Sequence, residues 1–118
     1  MRVISVNVNG IRAAHRKNFF TWLQKENADI VCVQETKAQV DQLVEEILKP
    51  KQYYGYFNDA VKKGYSGVAL LTKTKPNYVS EGIGIPKYDS EGRLIIAEYD
   101  DFFLINGYFP NGQKDDIR

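Results

Sequence analysis

Two short runs in this chain carry side chains suited to a hard cation: SVNVNG, with Asn7 and Asn9, and VQETK, with Glu35. A divalent ion such as Mg²⁺ takes oxygen ligands, commonly one or two carboxylates together with waters and substrate phosphate oxygens. Glu35 can supply the carboxylate, and the amide oxygen of Asn7 can stand close by. A lone glutamate at the end of an apolar run is more often a surface residue or a helix cap. The weight therefore rests on the two runs being brought side by side.

The elements expected around them do that. Residues 2–8 (RVISVNV) alternate and are rich in β-branched side chains, which predicts a strand ending at Asn9-Gly10. Residues 16–26 place Phe19, Phe20, Trp22 and Leu23 on one side and Lys17, Asn18, Thr21, Gln24 and Lys25 on the other, as an amphipathic helix does. Residues 29–35 (DIVCVQE) form the second strand. A helix between two strands makes them parallel. Parallel strands end on one edge, so Asn7 and Asn9 meet Gln34, Glu35 and Thr36 at the carboxyl ends, where open α/β sheets bind ligands.

A second helix is expected over about 39–48, stopped by Pro50. Beyond it the pattern is all β: YYGYFND, GVALLTKT, NYVSEGIG, RLIIAEYD and FFLINGYF, closely spaced and without helices, as in an antiparallel meander. The fold class is thus α/β (α+β), one mixed β-sheet with flanking helices. VALL and FFLINGYF are apolar on both alternating faces, so the sheet needs covering on both sides. The two helices cover one side. A missing layer is expected on the other, from a partner chain or from more of the same polypeptide.

With 118 residues and 43% hydrophobic content the chain builds one core. Apolar runs such as VALL are four residues long, against about 20 for a membrane span, so a soluble protein without membrane partners is expected. MRVISVNV lacks the pattern of a secretory signal, and Cys32 is the single cysteine, which together suggest the cytoplasm. The net charge of +1 excludes little, but its distribution is uneven. Arg12, His15, Arg16 and Lys17 form one acid-free block and Lys62, Lys63, Lys73 and Lys75 another, which permits phosphate recognition. His15 lies among basic residues with no carboxylate near it in sequence, and is not expected to be catalytic. GYSGVALLTKT raises a separate question, because Gly64 and Gly67 bare the backbone around Tyr65 and Ser66.

The set SVNVNGIRAA (5–14), ADIVCVQETK (28–37), GYSGVALLTK (64–73), GIG (82–84), EGR (91–93) and GYFPNG (107–112) resembles the exonuclease III type of apurinic/apyrimidinic endonuclease. Each motif is weak alone. Together, in family order and across essentially the whole chain, they are specific. The resemblance implies a Mg²⁺-dependent DNA phosphodiesterase of base-excision repair, with Mn²⁺ as the substitute ion, built as a four-layer α/β/β/α sandwich. It implies Glu35 as metal ligand with Asn7 in the same polar cluster, and Tyr108 facing the scissile phosphate with Asn111 near it. Arg12 and Lys17 match positions that grip the DNA backbone. Tyr65 matches a residue that enters the minor groove, with Gly67 letting the backbone come close. The implied partner is double-stranded DNA with abasic sites or 3′ ends.

The resemblance also marks what is missing. Phosphodiester hydrolysis needs an aligned water, a base and stabilisation of the leaving oxygen. The family draws these largely from a Gly-Asp-x-Asn motif and an aspartate–histidine pair, and neither is present here. Residues 1–118 are therefore expected to be the N-terminal half of the domain, inactive alone, with an exposed sheet face that pairs with the C-terminal half or self-associates. Val6 stands where many members carry an aromatic residue, and Asn9 where some carry aspartate, which weakens direct metal binding. The alternatives are a non-catalytic nucleic-acid- or protein-binding regulator on the same fold, which shares the SVNVNG opening, and a phosphatase or lipid phosphodiesterase, which need not keep GYSGV or YFPNG.

Overall fold

A computed structural model of the chain describes residues 1–82, 84 and 89–109. Val3, Ile4 and Val6 favour extended backbone, and β1 (Val3–Asn7) ends where Asn9 and Gly10 take positive φ values of 48° and 103°. That turn starts α1 (Ile11–Arg16). Asn18, left-handed at φ 67°, then separates α1 from α2 (Phe19–Glu26). The single helix expected over 16–26 is thus preceded by a short one, whose six residues are too few to show a period and which docks mainly through the fully buried Ile11.

The expected parallel pairing holds. β1 runs parallel to β2 (Ile30–Gln34), with Asn7 opposite Gln34. The helix expected over 39–48 is corrected: a 3₁₀ turn at Val40–Gln42 is followed by extended Leu43 and Val44 and a one-turn α3 (Glu45–Leu48). Tertiary ties explain the break. The Gln39 amide donates to the Ala60 carbonyl at 2.8 Å, and the Val40 N–H donates to Asp59 Oδ2 at 2.8 Å, fixing this segment to the loop after β3 (Tyr54–Asn58).

β4 (Val68–Thr72) pairs antiparallel with both β2 and β3, giving the order β1-β2-β4-β3. β5 (Tyr78–Ser80), β6 (Leu94–Glu98) and β7 (Phe103–Gly107) form a separate antiparallel sheet. The mixed α/β class stands, but the strands divide into two sheets, and the layer expected to be missing from the larger one is supplied by the smaller. Ile11, Phe20, Leu23 and Ile47 cover one face of β2 and β4 through Val31, Val33, Ala69 and Leu71. Ile95 and Ala97 meet Ile30, Cys32, Val68 and Leu70 on the other. Each fully buried aliphatic side chain contributes about 1.5–3 kcal/mol.

Asn106 is one of the polar residues between the sheets. It is buried, donates to the carbonyls of Ala69 (2.7 Å) and Val33 (3.3 Å), and accepts from the Gln34 amide at 3.0 Å. Cys32 lies close to it in the same layer, and burial pushes its thiol up to about 11. On the far side of the small sheet Tyr78, Phe103 and Ile105 are each about two-thirds exposed. Among the described residues no helix is long and apolar enough to cross a membrane.

Candidate active site

Glu35 follows β2 directly and sits in the left-handed region at φ 57°, as does Lys37 at φ 52°. Such conformations cost a non-glycine residue about 1–2 kcal/mol each. Four backbone hydrogen bonds hold this turn from two sides. The N–H groups of Gly10 and Ile11 donate to the carbonyls of Glu35 (2.7 Å) and Thr36 (2.9 Å). The N–H groups of Thr36 and Lys37 donate to the carbonyls of Gly67 (3.1 Å) and Ser66 (2.8 Å).

This explains the second glycine of GYSG. Gly67 has φ 90°, and a Cβ there would come within 2.1 Å of Thr36 Oγ1. Gly67 is buried against the Glu35 turn, whereas Gly64 borders open space.

The turn presents the Glu35 carboxylate to a ring of partners. Asn7 Nδ2 donates to Glu35 Oε2 at 2.8 Å, and Asn7 Oδ1 accepts the Asn9 N–H at 2.9 Å. Asn7 thus offers its NH₂ to the carboxylate, while its oxygen is engaged with the backbone. Lys37 Nζ lies 3.3 Å from Glu35 Oε1 and donates to Asn9 Oδ1 at 2.6 Å. The Tyr108 hydroxyl also bonds Glu35. The Asn7 bond chiefly, with smaller help from Tyr108 and Lys37, holds the carboxyl below its ordinary pKa against partial burial. Burial first, then Glu35, raises the Tyr108 phenol. An ionised carboxylate and a protonated phenol therefore stand together at neutral pH.

Tyr65 is partly exposed at the tip of the same loop, but its hydroxyl is not free. Arg93 Nη2 donates to it at 2.8 Å, it donates to Glu91 Oε1 at 3.2 Å, and Lys62 lies 5.6 Å from the ring centroid. Arg93 also pairs with Glu91 and offers its carbonyl to the Tyr108 N–H at 2.8 Å. Arg12 and Lys17 are exposed on and just after α1. Arg12 lines a cleft of about 320 Å³ with Arg16, Thr36 and Lys37. Lys17 lines a larger groove of about 550 Å³ with Asn7, Asn9 and Trp22. Asn111 lies outside the described residues. His15 pairs with Glu46 at 3.0 Å, away from the site.

Sequence reasoning assigned no role to Lys37 or Arg93. Both lay inside the quoted motifs, ETK and EGR, and the signal that could have singled them out was a cation next to each motif's glutamate. Among the described residues no three His, Cys, Asp or Glu side chains cluster as a metal site. Among the described residues Glu35 is the carboxylate at this point, beside the amide oxygen of Asn9. That donor set fits a hard ion held by one carboxylate and waters, as Mg²⁺ often is, with further ligands from elsewhere.

A two-sheet α/β scaffold with a carboxylate–tyrosine pair at its strand ends defines a class. The sequence matches the profile of the Endonuclease/Exonuclease/phosphatase family over residues 4–116, and the chain belongs to that family. Within it, the chain is 47% identical over 115 residues to an exodeoxyribonuclease of Bacillus subtilis (strain 168), covering 97% of this chain and 44% of that relative. It is 44% identical over 111 residues to the DNA-(apurinic or apyrimidinic site) endonuclease of Dictyostelium discoideum, covering 94% and 30%. An AP endonuclease structure from Archaeoglobus fulgidus superimposes with a TM-score of 0.79 at 33% identity, covering 98% of this chain and 44% of that one. The chain spans less than half the length of each of these relatives.

Proposed function

We propose that this chain supplies the metal-binding part of a Mg²⁺-dependent DNA repair nuclease that incises on the 5′ side of abasic sites, with 3′-to-5′ exonuclease and 3′-phosphatase activity as companions. The carrying observation is the ionised Glu35, oriented by Asn7 and touching the protonated Tyr108. Glu35 would hold the Mg²⁺ ion, or Mn²⁺ in its place. The ion, when bound, neutralises charge developing on the phosphate and its leaving oxygen. Asn7 fixes the carboxylate's direction through its NH₂, and the Tyr108 hydroxyl, kept protonated, would donate a hydrogen bond to a phosphate oxygen.

Arg12, Lys17 and Asn111 contact the DNA backbone, and Tyr65 faces the minor groove, its hydroxyl held by Arg93 and Glu91. An abasic sugar leaves the duplex readily because no base has to be unstacked, which favours it as substrate. The water-activating groups belong to a C-terminal half that also covers the apolar outer face of the small sheet. The span of under half of each relative supports this reading. The single buried cysteine suits a reducing cytoplasm.

The test is cleavage of a labelled duplex with one abasic-site analogue, by this chain alone and mixed with a separately made C-terminal half of a close relative, with Mg²⁺ and with EDTA. Metal-dependent cutting in the mixture only is expected. Silence in a mixture that demonstrably assembles would overturn the nuclease in favour of a non-catalytic regulator.

A further inference from the structure

We infer that Lys37 is a built-in cation that occupies the metal's approach to Glu35 and Asn9, and that its ammonium must leave before a divalent ion can enter. The inference rests on the reading of Glu35 as a metal ligand.

Lys37 Nζ lies 3.3 Å from Glu35 Oε1 and 2.6 Å from Asn9 Oδ1. Asn7 and the backbone take other oxygens of the cluster, and the Tyr108 hydroxyl also bonds the Glu35 carboxylate. The second carboxylate oxygen, Oε2, is taken by Asn7 Nδ2, and Asn7 Oδ1 by the Asn9 N–H. A Mg²⁺ ion bonds its oxygens at about 2.0–2.1 Å, so an ion on Glu35 Oε1 would sit within a few ångströms of the ammonium. Two positive charges at that separation, beside a carboxylate whose side chain is only 18% exposed, repel strongly.

The lysine is built to move without disturbing the turn. Its N–H stays bonded to the Ser66 carbonyl at 2.8 Å, while its side chain, 39% exposed, swings on four carbons. The cleft on its other side is lined by Arg12 and Arg16 and offers it no counter-charge. Lys37 thus bridges Glu35 and Asn9, and metal affinity is set by the difference between two cations competing for the same oxygens.

The experiment is Mn²⁺ binding followed by electron paramagnetic resonance of the free ion, on the 118-residue chain and on Lys37→Gln, Lys37→Met and Lys37→Arg, with Glu35→Gln as control. Lys37→Gln and Lys37→Met are expected to bind Mn²⁺ about tenfold more tightly, as removal of a neighbouring like charge requires. Lys37→Arg should stay within about threefold of the parent, since the charge remains. Equal or weaker binding by the two neutral variants, with unchanged thermal melting, would overturn the inference while leaving Glu35 as a ligand. Binding by no variant, or binding undiminished in Glu35→Gln, would instead remove Glu35 as the ligand and the inference with it.

Discussion

Asn7 and Glu35, 28 residues apart in the chain, are joined by a 2.8 Å hydrogen bond that exists because β1 and β2 are parallel and in one register. Asn7 stands opposite Gln34, one residue before Glu35. A slip of one residue would turn Asn7 to the helix-covered face and leave the carboxylate without its main donor.

Asn7→Ala should therefore raise the Glu35 pKa, measured by carbon-detected NMR titration of the carboxyl. A carboxyl depressed in the folded state adds stability that is present above its unfolded pKa and is lost as pH falls through the folded one. The variant should accordingly lose less stability on acidification than the parent. An unchanged Glu35 titration would show that Asn7 is not what orients it.

Gly67→Ala should destabilise the chain by about 2–4 kcal/mol in urea melts, because it combines a positive φ with a Cβ pressed on Thr36 Oγ1. Gly64→Ala, also at positive φ but facing open space, should cost about 1 kcal/mol. Equal losses at the two sites would contradict the role given to the Gly67–Thr36 contact.

Asn106→Ala removes the side-chain donor to the Ala69 and Val33 carbonyls and one of the acceptors of the Gln34 amide, and should cost about 2–4 kcal/mol. Hydrogen exchange at β6 and β7 should speed up more than at β2. Uniform change across both sheets would mean that Asn106 does not join them.

Alkaline conditions should weaken the fold. Burial first raises the phenols of Tyr53, Tyr56, Tyr99 and Tyr108. A raised acid group adds stability that is full below its unfolded pKa and is lost as pH rises through the folded one. Melting temperature should fall as pH passes the ordinary tyrosine range, and fall less in Tyr108→Phe. A flat profile there would be the contrary result.

The strands were legible in the sequence because alternation and β-branched runs survive any packing, and the site edge followed from one inference, that a helix between two strands makes them parallel. What escaped reading was set by tertiary contact. Gln39 and Val40 bond the loop after β3 and end a pattern that otherwise reads as helix. The division into two sheets depends on which apolar face of β4 meets β6, and strand periodicity alone is blind to that. The packing role of Gly67 was hidden because the sequence shows a missing side chain but not the Thr36 hydroxyl that fills its place.

The single thiol, Cys32, lies between the two sheets with its pKa pushed up to about 11, so in the folded chain it is both shielded and almost wholly protonated. It is therefore a natural clock for opening of the sandwich. The rate at which a disulfide reagent modifies it reports how often the sheets separate, and a partner that clasps them together would slow that rate without touching the sulfur.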